Sequence, residues 1–166
     1  ANGASGVRLN PEDSGFQKFT EALSALAEHL AIEIVKGAEG ATRVFEVTVN
    51  GASSMSDARS IARSITSSTL MKAAVHGADP NFGRTLCAIG YSEAIFNPNV
   101  VDLWIGNTQV MDQGIPIDFD ESLASNHLEQ PTSTLRVELH SGNYSATGWG
   151  CDLSTEYVSF NSEYST

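Results

Sequence analysis

The stretch His76-Gly77-Ala78-Asp79-Pro80-Asn81-Phe82-Gly83-Arg84 decides how the rest of the chain is read. Pro80 fixes its own φ and disfavours the helical region for Asp79. Gly77 and Gly83 open backbone angles closed to other residues, and Asp79 and Asn81 can cap neighbouring N–H groups. A loop of this composition is shaped, and Asp79, Asn81 and Arg84 are expected to form an internal salt-bridged corner. Thr85-Leu86-Cys87-Ala88-Ile89-Gly90 follows, small and apolar, so the loop is expected to feed an element buried in the core. A plain helix-to-helix connector is the competing reading. His76 has no second His, Cys or carboxylate at metal-ligand spacing and reads as structural.

Upstream, Asp13-Ser14 offers an N-cap, and Phe16, Phe19, Leu23, Leu26, Leu30 and Ile34 recur at helical spacing until Gly37 supplies a stop. The spacing predicts an amphipathic helix of about six turns, with His29 on its polar side. Gly37-Ala38-Glu39-Gly40-Ala41-Thr42 then leads into Arg43-Val44-Phe45-Glu46-Val47-Thr48-Val49, whose alternation and β-branching predict a strand. Glu39, an acid between two glycines at the mouth of that strand, is placed to meet a ligand; a solvated turn residue is the alternative. Asn50-Gly51 is expected to turn the chain, and Ser56-Asp57 to cap a second helix carrying Ala58, Ile61, Ala62, Ile65 and Leu70.

Downstream, Val100–Ile105 and Thr108–Met111 around Gly106-Asn107 predict a hairpin. Residues 118–127 read as a short helix and residues 134–139 as a strand. Residues 146–153 and Tyr157-Val158-Ser159-Phe160 read as further strand. The sum is a mixed α/β (α+β) fold, two long helices against a largely antiparallel sheet, in a single domain spanning 1–166. The tail, Asn161-Ser162-Glu163-Tyr164-Ser165-Thr166, keeps an aromatic and an amide where termini usually fray.

A net charge of −11 with only nine Lys and Arg argues against a nucleic-acid partner, which needs clustered cations. No apolar run approaches the roughly 20 residues that a membrane-spanning helix needs. Cys87 and Cys151 lie far apart without C-x-x-C spacing and are expected to be reduced core residues of an intracellular protein. The opening Ala1-Asn2-Gly3-Ala4-Ser5-Gly6 lacks the basic start and apolar stretch of a signal peptide and reads as a chain entering in mid-architecture.

Taken in order, Gly37-Ala38-Glu39-Gly40-Ala41-Thr42, the Gly77 to Arg84 loop, and Gly150-Cys151-Asp152-Leu153 with Tyr157-Val158 and Asn161 to Thr166 resemble the ornithine acetyltransferase family, the bifunctional glutamate N-acetyltransferases of arginine biosynthesis. Members are made as a precursor that cleaves itself before a threonine, which becomes the nucleophile of the β chain. The resemblance implies a cytoplasmic enzyme of layered αββα, N-terminal-nucleophile-like architecture, with this chain the later part of the β chain. The family's threonine is not among these residues, so no catalytic residue is assigned here. The resemblance implies as partners the α chain, which carries the oxyanion hole, and the threonine-bearing segment, in a hetero-oligomer of αβ units. It implies no cofactor, and N-acetylornithine and glutamate as the small-molecule substrates.

Carried over by position, Glu39, Asn161 and Thr166 are the substrate-binding residues that the resemblance implies. Glu39 suits a substrate ammonium, and Asn161 and Thr166 suit polar groups of its backbone end. Phe82 stands where the family usually has tryptophan, and Ser165 where arginine is common. A self-processing aminopeptidase or amidohydrolase of related scaffold, and a non-catalytic binding or assembly domain, stay open as alternatives.

Overall fold

The computed structural model describes residues 2–163, and the chain divides into two compact units between Ile34 and Val35. In the first, Asp13 anchors the start of helix α1 (Ser14–Lys36): its carboxylate accepts from the Asn10 N–H at 3.2 Å and its carbonyl from the Phe16 N–H at 2.9 Å. The helix runs to Lys36, within the expected bounds. No residue of it is buried, and Phe19, Leu23, Leu26, Leu30 and Ile34 are each more than half exposed. His29 is exposed, as expected.

The second unit is built on one six-stranded sheet. Its strands are β1 (Val44–Ala52), β2 (Asp102–Ile105), β3 (Thr108–Asp112), β4 (Ile115–Pro116), β5 (Thr132–Glu138) and β6 (Tyr144–Cys151), in the order β4-β3-β2-β5-β1-β6. Only β1 and β5 are parallel, so the expected largely antiparallel sheet is found. Alternation sets its faces. Phe45, Val47 and Val49 lie opposite Ser133, Leu135 and Val137, and all six are buried. The opposite face is polar: Trp149 Nε1 donates to Glu46 Oε2 at 3.0 Å, and Arg136 stacks 3.8 Å over the Trp104 ring.

Helix α2 (Met55–Ser67) covers the apolar face with Ala58, Ile61, Ala62 and Ile65. The two isoleucines alone contribute about 1.5–3 kcal/mol each by burial. Gly150 of β6 makes room on that face. A Cβ there would lie 2.8 Å from the Phe45 ring and 2.9 Å from the Thr66 carbonyl oxygen. Helix α5 (Glu121–Leu128), close to the expected short helix, adds Ala124 and Leu128 to the same core.

The structure departs from the sequence pattern at several elements. The second helix starts two residues early. Ser54, not Ser56, is the N-cap, because its hydroxyl accepts from the Asp57 N–H and donates to the Asp57 carboxylate, a reciprocal closure that Ser56 does not make. It also breaks at Ser68, which ends α2 and caps α3 (Thr69–His76) by accepting from the Met71 N–H. Asn50-Gly51 does not turn the chain: β1 continues to Ala52, and Gly51 at φ +68° absorbs a register shift against β6. Tyr157–Phe160 is not strand. These residues lie in helix α6 (Thr155–Glu163), where Ser154 accepts the Tyr157 N–H, and the local cap outweighs the β preference of the aromatic and β-branched side chains. The cysteines are not core residues. Cys87 is exposed on the solvent side of its helix and Cys151 is half-buried in a sheet-edge strand; both are free thiols.

The loop at residues 77–81 connects α3 to α4 (Phe82–Gly90). Ala78 adopts φ +50°, Asp79 N–H donates to Ala74 O at 2.9 Å, and Asn81 caps α4 through the Arg84 N–H. The Arg84 guanidinium lies 3.8 Å from the Asp79 carboxylate and donates to Leu70 O, so the expected salt-bridged corner is present. Thr85, Ala88 and Ile89 bury one face of α4, which makes the loop both a helix connector and the entry to a core element.

Candidate functional site

The site grows from the turn between α1 and β1. Ala41 N–H closes on Ala38 O at 3.0 Å, which holds Glu39 at the turn's tip with an exposed side chain. Gly40 follows at φ +68°, where an added Cβ would lie 2.7 Å from the backbone nitrogen of Tyr157. Only glycine permits both the left-handed angle and this contact. The turn therefore lies directly against the start of α6.

One turn further along α6 stands Asn161. Its Nδ2 donates to Glu39 Oε2 at 3.1 Å and to Tyr157 O at 2.9 Å. Two of the three residues singled out from the sequence, 122 positions apart, are thus joined side chain to side chain. The third, Thr166, lies outside the described residues. Among the described residues, Glu39 Oε1 and Asn161 Oδ1 accept no hydrogen bond. The pair therefore leaves one carboxylate and one amide oxygen on exposed side chains without a donor, both acceptors, a combination suited to an ammonium group and not to an anion.

Beneath this pair lies a polar knot that sequence reasoning did not single out. Asp152, with its side chain fully buried, accepts from Thr42 N–H at 2.8 Å, Thr42 Oγ1 at 2.6 Å, Arg43 N–H at 2.9 Å and His76 Nδ1 at 2.8 Å. Burial pushes this carboxyl up. The hydrogen bonds from the Thr42 hydroxyl, His76 and the two backbone N–H groups outweigh it and hold the carboxyl below the ordinary carboxylate range. Arg43 in turn donates to the Val75 and His76 carbonyls, closing the C-terminal end of α3. His76 is accordingly bound into the scaffold, as expected. The signal for the knot was present in Thr42, His76 and Asp152, polar residues inside three quoted motifs, but not in their spacing. Among the described residues, no cluster of His, Cys, Asp and Glu could hold a metal ion.

The ArgJ family profile matches residues 1–166. This chain belongs to the ArgJ family. It is similar to the arginine biosynthesis bifunctional protein ArgJ of Symbiobacterium thermophilum, 47% identical over the whole of this chain and 42% of that protein. The ArgJ of Listeria monocytogenes is 42% identical over the same shares. The chain thus spans about two-fifths of the length of the curated ArgJ proteins it matches. The crystal structure of ArgJ from Bacillus halodurans superposes with a TM-score of 0.91 at 39% identity, covering 99% of this chain and 78% of that one. The mixed α/β fold described above is therefore that of ArgJ.

Proposed function

We propose that this chain is the amino-acid-holding part of an ornithine acetyltransferase and glutamate N-acetyltransferase of arginine biosynthesis. Glu39 and Asn161, with Thr166, grip the amino-acid substrate, Glu39 at its free ammonium. The Glu39–Asn161 hydrogen bond supports the reading, because it joins an acid that stands out by its flanking glycines to an amide that the family resemblance singles out, 122 positions away.

In this reading the nucleophilic threonine is supplied by a segment outside this chain and freed by autocatalytic cleavage of a cytoplasmic precursor. It attacks the acetyl carbonyl of N-acetylornithine, forming a threonyl ester as the bond to the ornithine nitrogen breaks. The free threonine amine takes up the hydroxyl proton and passes it to the leaving amine. Glutamate's amine then attacks the ester, regenerating the hydroxyl. Oxyanion donors on the α chain stabilise each tetrahedral intermediate. Glu39 and Asn161 bind at the substrate's far end from the acetyl group and contribute binding and orientation.

Acetyl transfer by the assembled protein tests this directly. With N-acetylornithine as donor, added glutamate should yield N-acetylglutamate in step with released ornithine. Acetate release indifferent to glutamate would make the protein a hydrolase, and absence of any turnover would leave a binding or assembly domain.

A further inference from the structure

Glu39 and Asn161 sit on different elements, and something must fix their separation. Among the described residues, the Ser154 side chain is hydrogen-bonded to both backbones. Ser154 is 3% exposed. Its hydroxyl donates to Gly40 O at 2.6 Å, immediately after Glu39, and the same oxygen accepts the Tyr157 N–H at 3.1 Å, opening the helix that carries Asn161. One hydroxyl group thus bonds the turn and the helix at once. Gly40 lets the two backbones touch, since any side chain there would collide with Tyr157. Ser154 is itself two residues from Asp152, whose bonds to Thr42 and Arg43 hold the exit of the same turn.

We propose that Ser154 is a positioning residue for the amino-acid site, setting Glu39 and Asn161 at the spacing that admits the substrate ammonium. Its buried hydroxyl links their two supporting elements without touching the substrate. The inference rests on the assignment of Glu39 and Asn161 as the grip. Because the grip binds a part of the substrate that does not react, loosening it weakens ground-state and transition-state binding alike.

The test is steady-state kinetics of the assembled protein with N-acetylornithine, alongside melting temperatures. Ser154→Ala should raise KM about ten-fold, the loss expected for a buried hydroxyl with two partners, and leave kcat within about two-fold. Ser154→Thr keeps an oxygen at the same place and should return KM to within about three-fold of the parent. Should Ser154→Ala not assemble, Ser154→Cys, a weak acceptor of similar size, should raise KM about five-fold with the same spared kcat.

An unchanged KM in Ser154→Ala or Ser154→Cys, beside a raised KM in Glu39→Ala and Asn161→Ala, would overturn the inference and leave the grip standing. So would a threonine variant as impaired as the alanine one, or a fall in kcat at constant KM. Unchanged KM in Glu39→Ala and Asn161→Ala would instead overturn the assignment beneath it.

Discussion

Removing the Asp152 carboxylate should be the most damaging single truncation in this part of the molecule. Its side chain is fully buried and accepts four hydrogen bonds, two of them from the backbone N–H groups of Thr42 and Arg43. In Asp152→Ala those two donors lose their partner at roughly 1–3 kcal/mol each, and the Thr42 hydroxyl and His76 imidazole lose theirs with some recovery from water. The sum, allowing for non-additivity, is about 3–5 kcal/mol. Asp152→Asn keeps one carbonyl oxygen for the backbone pair and should cost about half as much. Urea denaturation followed by tryptophan fluorescence suits the measurement, because Trp104 and Trp149 both lie in the sheet. The pH dependence follows from sign. A carboxyl held below its ordinary value stabilises the fold fully above the unfolded pKa of about 3.9 and progressively less as pH falls through the folded one. The gap between parent and Asp152→Ala should therefore be constant near neutrality and shrink in acid. A loss under about 1 kcal/mol, or a gap that widens in acid, would refute the reasoning.

Other outcomes follow from the same geometry. Gly150→Ala places a methyl 2.8 Å from the Phe45 ring and 2.9 Å from a backbone carbonyl, and should lower stability by about 1–3 kcal/mol in the same urea assay. His140 Nε2 meets the Asp102 carboxylate at 2.7 Å. That hydrogen bond raises the His140 pKa, burial opposes it, and the charges of Asp102, Glu138 and Asp112 add to the rise. A raised folded pKa gives stability complete below about pH 6.5 and lost as pH climbs through the folded value. Urea midpoints should thus fall from about pH 6 to about pH 9 in the parent, and the fall should flatten in His140→Gln.

Much of the fold was legible where a pattern had a period. The alternation of Val44 to Val49 and of Thr134 to Glu138 gave two strands whose buried faces meet in the structure, and the spacing of Phe19 to Ile34 gave a helix ending at Gly37's doorstep. It failed where a cap overruled composition. Tyr157-Val158 has the side chains of a strand, yet Ser154 seats its first N–H as a helix. The strand through Gly51 was missed because a glycine that bends a strand and one that reverses it look alike in sequence. Of the site, Glu39 stood out locally, by its flanking glycines, and Asn161 only through the family resemblance. The Asp152 knot and the Ser154 bridge join positions more than 70 residues apart in most of their bonds, and no local pattern encodes such partners.

The central claim is that Glu39 and Asn161 hold an amino acid together. Calorimetric binding of N-acetylornithine to the assembled protein tests it most directly, comparing the parent with Glu39→Ala. Both side chains are exposed, so the melting temperature should move by no more than about 2 °C. Loss of a charge-assisted bond to the ammonium should weaken binding about 10- to 100-fold. An affinity equal to the parent's at unchanged stability would contradict the account.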